Sequence, residues 1–118
     1  MVVFAVGVIA AIQFIDVTGA RADGAIAVGR CDNIGWAYHP DVGVARRNAM
    51  QACRKNGDTS CKIVATTVDA CAAIAVSGHC GSRGWGTAAT RARAEALALE
   101  NCARYGGRDC TVRKWVCS

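Results

Sequence analysis

Cys53-Arg-Lys-Asn-Gly57-Asp-Thr-Ser-Cys61 and Cys102-Ala-Arg-Tyr-Gly106-Gly-Arg-Asp-Cys110 are one passage written twice, 49 residues apart. In each, a cysteine is followed by a glycine four residues on and by a second cysteine after another four. Outward from these passages the correspondence continues. Gly35-Trp36 recurs as Gly84-Trp85, and Ala25-Ile-Ala-Val28 recurs as Ala73-Ile-Ala-Val76. The eight cysteines, at 31, 53, 61, 71, 80, 102, 110 and 117, divide into two sets of four in the same order. Chance does not produce this, so the chain holds a duplicated unit. A unit of roughly 48 residues buries too little surface to stand alone, which predicts that both pack as one small domain.

Each unit reads as β-β-α-β. Ala25 to Gly29 is an apolar run of strand length, and Gly35-Trp36-Ala37-Tyr38 holds a second strand. Asp41 is placed to cap a helix whose stripe is Val44, Ala45, Ala49, Ala52 and Cys53; Thr90 is its counterpart before Ala94, Leu97, Ala98 and Cys102. Gly57 and Gly106 fall where left-handed residues close helices. The segments after Cys61 and Cys110 are rich in β-branched residues and predict strands. The fold class is therefore α+β: two pseudo-repeated β-β-α-β units, a mixed or antiparallel sheet covered by two helices, stapled by disulfides. The units span about 24–71 and 72–117 of a single domain over 23–118.

Composition narrows the setting. The chain has 118 residues, 53% hydrophobic and 19% charged, with 14 Lys+Arg against 9 Asp+Glu. This excludes a disordered, collagenous or multidomain protein. Residues 1–22 read as a secretory leader: an apolar run to Ile15, then the small-residue site Ala20-Arg21-Ala22. Its n-region is atypical, since no Lys or Arg precedes the run. Cleavage after Ala22 removes one basic and one acidic residue, leaving 13 against 8 and a net charge still +5. No membrane span is expected after the leader.

No two cysteines form C-x-x-C and no histidine stands at finger spacing, so neither zinc nor a thioredoxin-type pair is expected. An even number of cysteines beyond a leader instead reads as a disulfide framework in periplasm, envelope or medium. The short C-x7-C steps predict Cys53–Cys61 and Cys102–Cys110 in both units. Pseudo-twofold packing favours Cys71–Cys117 and Cys31–Cys80, with Cys31–Cys71 and Cys80–Cys117 as the alternative within units.

The Ala-Ile-Ala-Val starts, the Gly-Trp pairs, the Ala-x3-Ala-x3-Cys helices and the Cys71-Ala-Ala-Ile-Ala junction resemble the bacterial family called domain of unknown function 4189. The resemblance covers about residues 24 to 117. It implies an exported protein for which no enzymatic activity is established, with some mycobacterial members regarded as secreted factors acting on a host. It also implies that Cys31 and Cys80 are added to a commoner six-cysteine pattern, and so pair with each other. No catalytic residue is carried across.

The chemistry-bearing residues give no active site on inspection. His39 and His79 read as turn histidines; Ser77, His79 and Ser82 are too close in sequence to form a triad. Glu95 and Glu100 share one helix, and Asp32 or Asp69 are poor candidates to complete a carboxylate pair. Asp58 and Asp109 read as turn residues. Gly81-Ser-Arg-Gly84-Trp-Gly86 lacks the lysine of a phosphate loop and reads as a hairpin. Trp36 and Trp85, with Arg83 and Tyr38, are candidates for a binding face or for the core that alanine helices leave thin. Arg46, Arg47, Arg91 and Arg93 are a candidate anionic-surface contact or a solvated helix face with i,i+4 pairs.

These features favour an exported, non-enzymatic binding module with an unknown protein partner in the envelope or on a host. The alternatives are a basic structural or adhesive protein on anionic envelope polymer and, behind it, a small hydrolase built across the halves. No cofactor, metal or specific nucleic-acid motif is expected, and a monomer is.

Overall fold

The computed structural model describes residues 22–118, so the expected leader lies outside the described residues except for Ala22. The first unit contains β1 (Asp23–Val28), β2 (Ile34–His39), α1 (Val42–Arg54) and β3 (Lys62–Thr67). The second contains β4 (Cys71–Ser77), β5 (Arg83–Ala88), α2 (Arg91–Arg104) and β6 (Cys110–Cys117). The twice-used β-β-α-β order is therefore present.

The strands form two antiparallel sheets, ordered β2-β1-β3 and β5-β4-β6, where a single sheet was expected. The reason lies in the Ala-Ile-Ala-Val runs of the two central strands. Alternate side chains of a strand point to opposite faces. Ala25 and Ala27 meet Ala45, Ala49 and Cys53 of α1, and Ala73 and Ala75 meet Ala94, Ala98 and Cys102 of α2. Ile26 and Val28 turn the other way and pack on Ala72, Ile74 and Val116 of the second sheet. The order of layers is α1, first sheet, second sheet, α2. Both faces of each central strand are buried, so the alternation is hidden in an unbroken apolar run.

Small residues set the helix-to-sheet distance. The stripe of α1 is Ala45, Ala49 and Cys53, and that of α2 is Ala94, Ala98 and Cys102, each spaced four apart. Ala52, expected on this stripe, is exposed, and Val44 and Leu97 are only half-buried. Gly35 and Gly84 lie directly beneath these helices. A methyl on Gly35 would come 2.5 Å from the Cys53 nitrogen, and one on Gly84 would come 2.5 Å from the Ala98 carbonyl oxygen.

The predicted caps are present. The Asp41 carboxylate accepts a hydrogen bond from the Gly43 N–H at 2.8 Å, and Thr90 Oγ1 accepts one from the Arg93 N–H at 3.2 Å. Gly57 and Gly106 follow the helices at φ +81° and +92°.

Four disulfides are formed: Cys53–Cys61, Cys102–Cys110, Cys71–Cys117 and Cys31–Cys80. The first two tie each helix end to the strand that follows. Cys71 opens β4 and does not close β3, and it stands opposite Cys117 in register. That bond therefore joins two strands of the second sheet, and its partners are not repeat equivalents. Cys31–Cys80 alone links the two units, through turns in which both cysteines adopt φ +60°.

Candidate functional site

The two outer helices share a scaffold and differ in surface chemistry. On α1, Arg46, Met50 and Arg54 fall on one line of a helix face, with Arg47 and Gln51 beside it. Together with Ile63 from β3 they line an open depression of about 550 Å³. Met50 and Ile63, half-buried against the α1 core, supply its apolar floor. The helix Val42–Arg54 contains no Asp or Glu. Among the described residues, Arg46, Arg47 and Arg54 make no ion pair.

On α2 the corresponding positions, 49 residues on, hold Glu95 for Arg46, Leu99 for Met50, Glu100 for Gln51 and Ala103 for Arg54. Arg91 pairs with Glu95 at 2.8 Å and Arg104 with Glu100 at 3.4 Å. Both i,i+4 pairs that the sequence offers are therefore formed on α2, and among the described residues α1 has none. The signal was in the sequence, as the lack of any carboxylate between 42 and 54.

The other sequence-predicted positions occupy separate surroundings. Arg91 also lies 3.9 Å from the centroid of the Trp115 ring, while Arg93 is exposed. Because α1 and α2 cover opposite faces of the sandwich, the arginine pairs 46/47 and 91/93 do not share a surface. Trp85 packs half-buried against the inter-sheet core, a cluster that includes Ala65. Trp36, its repeat equivalent, is 44% exposed. The residue 49 positions after Ala65 is Lys114, whose ammonium lies 3.3 Å from the Trp36 ring centroid. Tyr38 meets Trp36 edge-on at 6.2 Å and its hydroxyl accepts from the Cys117 N–H at 3.1 Å. Arg83 serves the joint between units, donating to the carbonyls of Gly29 at 2.6 Å and Cys31 at 3.2 Å.

His79 is not an unengaged turn residue. Its Nδ1 lies 2.9 Å from Asp32 Oδ2, in the other unit, and its Nε2 lies 3.8 Å from Cys31 Sγ. Asp32 Oδ1 accepts from the Cys80 N–H at 3.0 Å. That backbone bond, with His79 and Arg113 nearby, holds the Asp32 carboxyl below its ordinary range. The nearby serines are engaged elsewhere: Ser77 Oγ donates to the Arg108 carbonyl at 2.5 Å, and Ser82 Oγ to the Tyr105 carbonyl at 2.8 Å. His39 Nδ1 accepts from the Asp41 N–H at 3.0 Å within its own turn. Residues 77–82 form the hairpin expected of the glycine-rich segment, with Ser77 N–H donating to the Ser82 carbonyl at 2.9 Å. Two clusters have metal-ligating residue types, Cys31/His79/Cys80 and Cys53/Asp58/Cys61. Both pairs of cysteines are oxidised to disulfides and offer no thiolate.

Asp58 is the strongest acceptor of the first unit. It accepts from Ser60 Oγ at 2.6 Å, Ser60 N–H at 2.8 Å, Asn33 Nδ2 at 2.9 Å and Arg30 N–H at 2.6 Å. These bonds, those from Ser60 foremost, hold its carboxyl far below the ordinary range. A carboxyl whose folded value is depressed contributes stability above its unfolded value and loses it as pH falls. Thermal stability is thus expected to decline below about pH 4. In Asp58→Asn the decline is shallower, from a lower starting stability, as read by melting temperature against pH.

A family model described as "Domain of unknown function (DUF4189)" matches residues 24–117. The chain belongs to this family, as its repeated motifs implied. No curated protein matches it, and no solved structure does.

Proposed function

We propose that the chain is an exported, non-enzymatic binding module that docks the α1 face onto an acidic protein surface of the envelope or of a host cell. One observation carries this reading: the duplicated scaffold places three guanidinium groups, none in an ion pair among the described residues, around an apolar floor, where the matching face of its other half carries Arg–Glu pairs. Guanidinium forks suit carboxylates, and a dry floor strengthens such contacts by excluding water. The four disulfides suit an oxidising compartment. Residues 1–22 supply the export signal in this reading. Among the described residues no helix is long and apolar enough to cross a membrane.

Docking to an anionic envelope polymer is the second reading, favoured by the net charge of +5 and the bare arginines. It uses the charges and not the floor. Affinity capture from envelope and host-cell extracts by the oxidised domain separates the two. A protein partner retained at high salt supports the first, whereas capture that falls steeply with salt supports the second. Equal capture by a reduced, alkylated control would show that the folded face is not what binds.

A further inference from the structure

We propose that the Cys31–Cys80 disulfide is a thiol–disulfide exchange site, with the Cys80 sulfur as the point of attack and Cys31 as the leaving group beside His79. Of the four bonds it is the most accessible. Cys53 and Cys102 are fully buried and Cys71 is 7% exposed, whereas Cys80 is exposed and Cys31 half-buried. Each of its cysteines also has a left-handed backbone, at φ +60°, a conformation that disfavours a residue with a side chain.

The surroundings are arranged for one direction of cleavage. The Asp32 carboxylate accepts from His79 Nδ1, which fixes the ring with Nε2 toward Cys31 Sγ at 3.8 Å. A second oxygen of the same carboxylate accepts from the Cys80 N–H. Arg113, 3.9 Å from Asp32, and Arg83, bonded to the Cys31 carbonyl, are the other charged groups facing the bond. An incoming thiolate attacks Cys80 Sγ and forms a sulfur–sulfur bond there. The Cys31–Cys80 bond breaks with its electron pair leaving on Cys31 Sγ, and protonated His79 delivers a proton from Nε2 to that sulfur. The products are a mixed disulfide at Cys80 and a thiol at Cys31. A second thiolate then attacks the incoming sulfur, the bond to Cys80 breaks with its electron pair leaving on Cys80 Sγ, and that sulfur takes a proton from solvent, giving the dithiol protein and the oxidised form of the thiol. The pair gains two electrons and two thiols lose them. His79 acts on the reacting sulfur, and Asp32 is the positioning residue.

Opening this bond leaves the sandwich intact, because the sheets are held by Ile26, Val28, Ile74 and Val116. The substrate class is therefore an accessible thiol, and reduced glutathione serves as the probe. Oxidised protein is incubated with glutathione, quenched with acid, alkylated and mapped by mass spectrometry. The expected result is glutathione on Cys80 and alkylation of Cys31 while the other six cysteines stay protected. His79→Ala, at a side chain 86% exposed, is expected to slow the reaction about a hundredfold with an unchanged melting temperature. Asp32→Asn is expected to slow it too. In bond-opened protein His79→Ala shifts the appearance of Cys31 thiolate absorbance to higher pH, and in Asp32→Asn the pH above which exchange slows moves down, because the ring has lost its anionic partner. Reduction of all four bonds together, or wild-type rates in His79→Ala, would overturn the proposal.

Discussion

Gly84→Ala is expected to melt far below the wild-type protein, and Gly35→Ala to do the same. A methyl group at 84 would stand 2.5 Å from the Ala98 carbonyl oxygen and 2.6 Å from the Asn101 carbonyl carbon. These are backbone atoms of α2, so no side chain can swing away to make room. The helix must lift from the sheet, and lifting it uncovers Ala94, Ala98 and Cys102 along its whole buried stripe. Cys102–Cys110 resists that movement, because it anchors the same helix to β6. Overpacking of a tight core costs about 3 kcal/mol, a large share of the 5 to 15 kcal/mol that holds a typical domain. Gly57→Ala provides the contrast. Gly57 has φ +81° but nothing within 4 Å of the added methyl, so only the left-handed backbone penalty of about 1 to 2 kcal/mol applies. Thermal unfolding of the oxidised proteins by circular dichroism checks both. Equal melting temperatures for the two variants would mean that the helices do not approach the strands as closely as described.

Arg46→Gln/Arg47→Gln/Arg54→Gln is expected to weaken partner binding by roughly a hundredfold, at about 1 kcal/mol for each interfacial guanidinium. All three side chains lie on the exposed side of α1, away from its buried stripe, so the folded domain and its disulfides should be unaffected. The control on the other helix is Arg91→Gln/Arg93→Gln, which removes two positive charges against three. One of its arginines is already engaged with Glu95 and Trp115, and both lie on the opposite face of the sandwich. Its binding should remain within about threefold of wild type, as ordinary surface substitutions do. Binding is read by surface capture at one fixed salt concentration, so that both variants are compared under the same screening. Equal losses in both variants would point to net charge alone.

The duplication, the elements, both caps and the closing glycines were legible because they rest on local chemistry. Asp41 and Thr90 accept from N–H groups two and three residues away, and Gly57 and Gly106 need only their own φ. The two-sheet arrangement was not, because Ala-Ile-Ala-Val is apolar on both faces and does not announce that alanine faces a helix and isoleucine faces a sheet. Cys71–Cys117 was predicted as a pair for the wrong geometrical reason, since the turn at 68–70 decides on which side of the unit boundary Cys71 falls. For the candidate site, Arg46 and Arg47 were visible, but their lack of carboxylate partners was masked by treating α1 and α2 alike. The Asp32–His79 contact joins residues 47 apart in sequence, and only the pairing of the units through Cys31–Cys80 brings them together.

The most direct test of the α1 face as the binding surface is site-specific photo-crosslinking. A photoreactive side chain replaces Gln51, which lines the depression, or Leu99, exposed at the matching face of α2. The labelled domains are irradiated in the extract that yields capture. A covalent adduct with the partner is expected from position 51 and none from position 99. An adduct from position 99 alone, or from neither while capture persists, would contradict it.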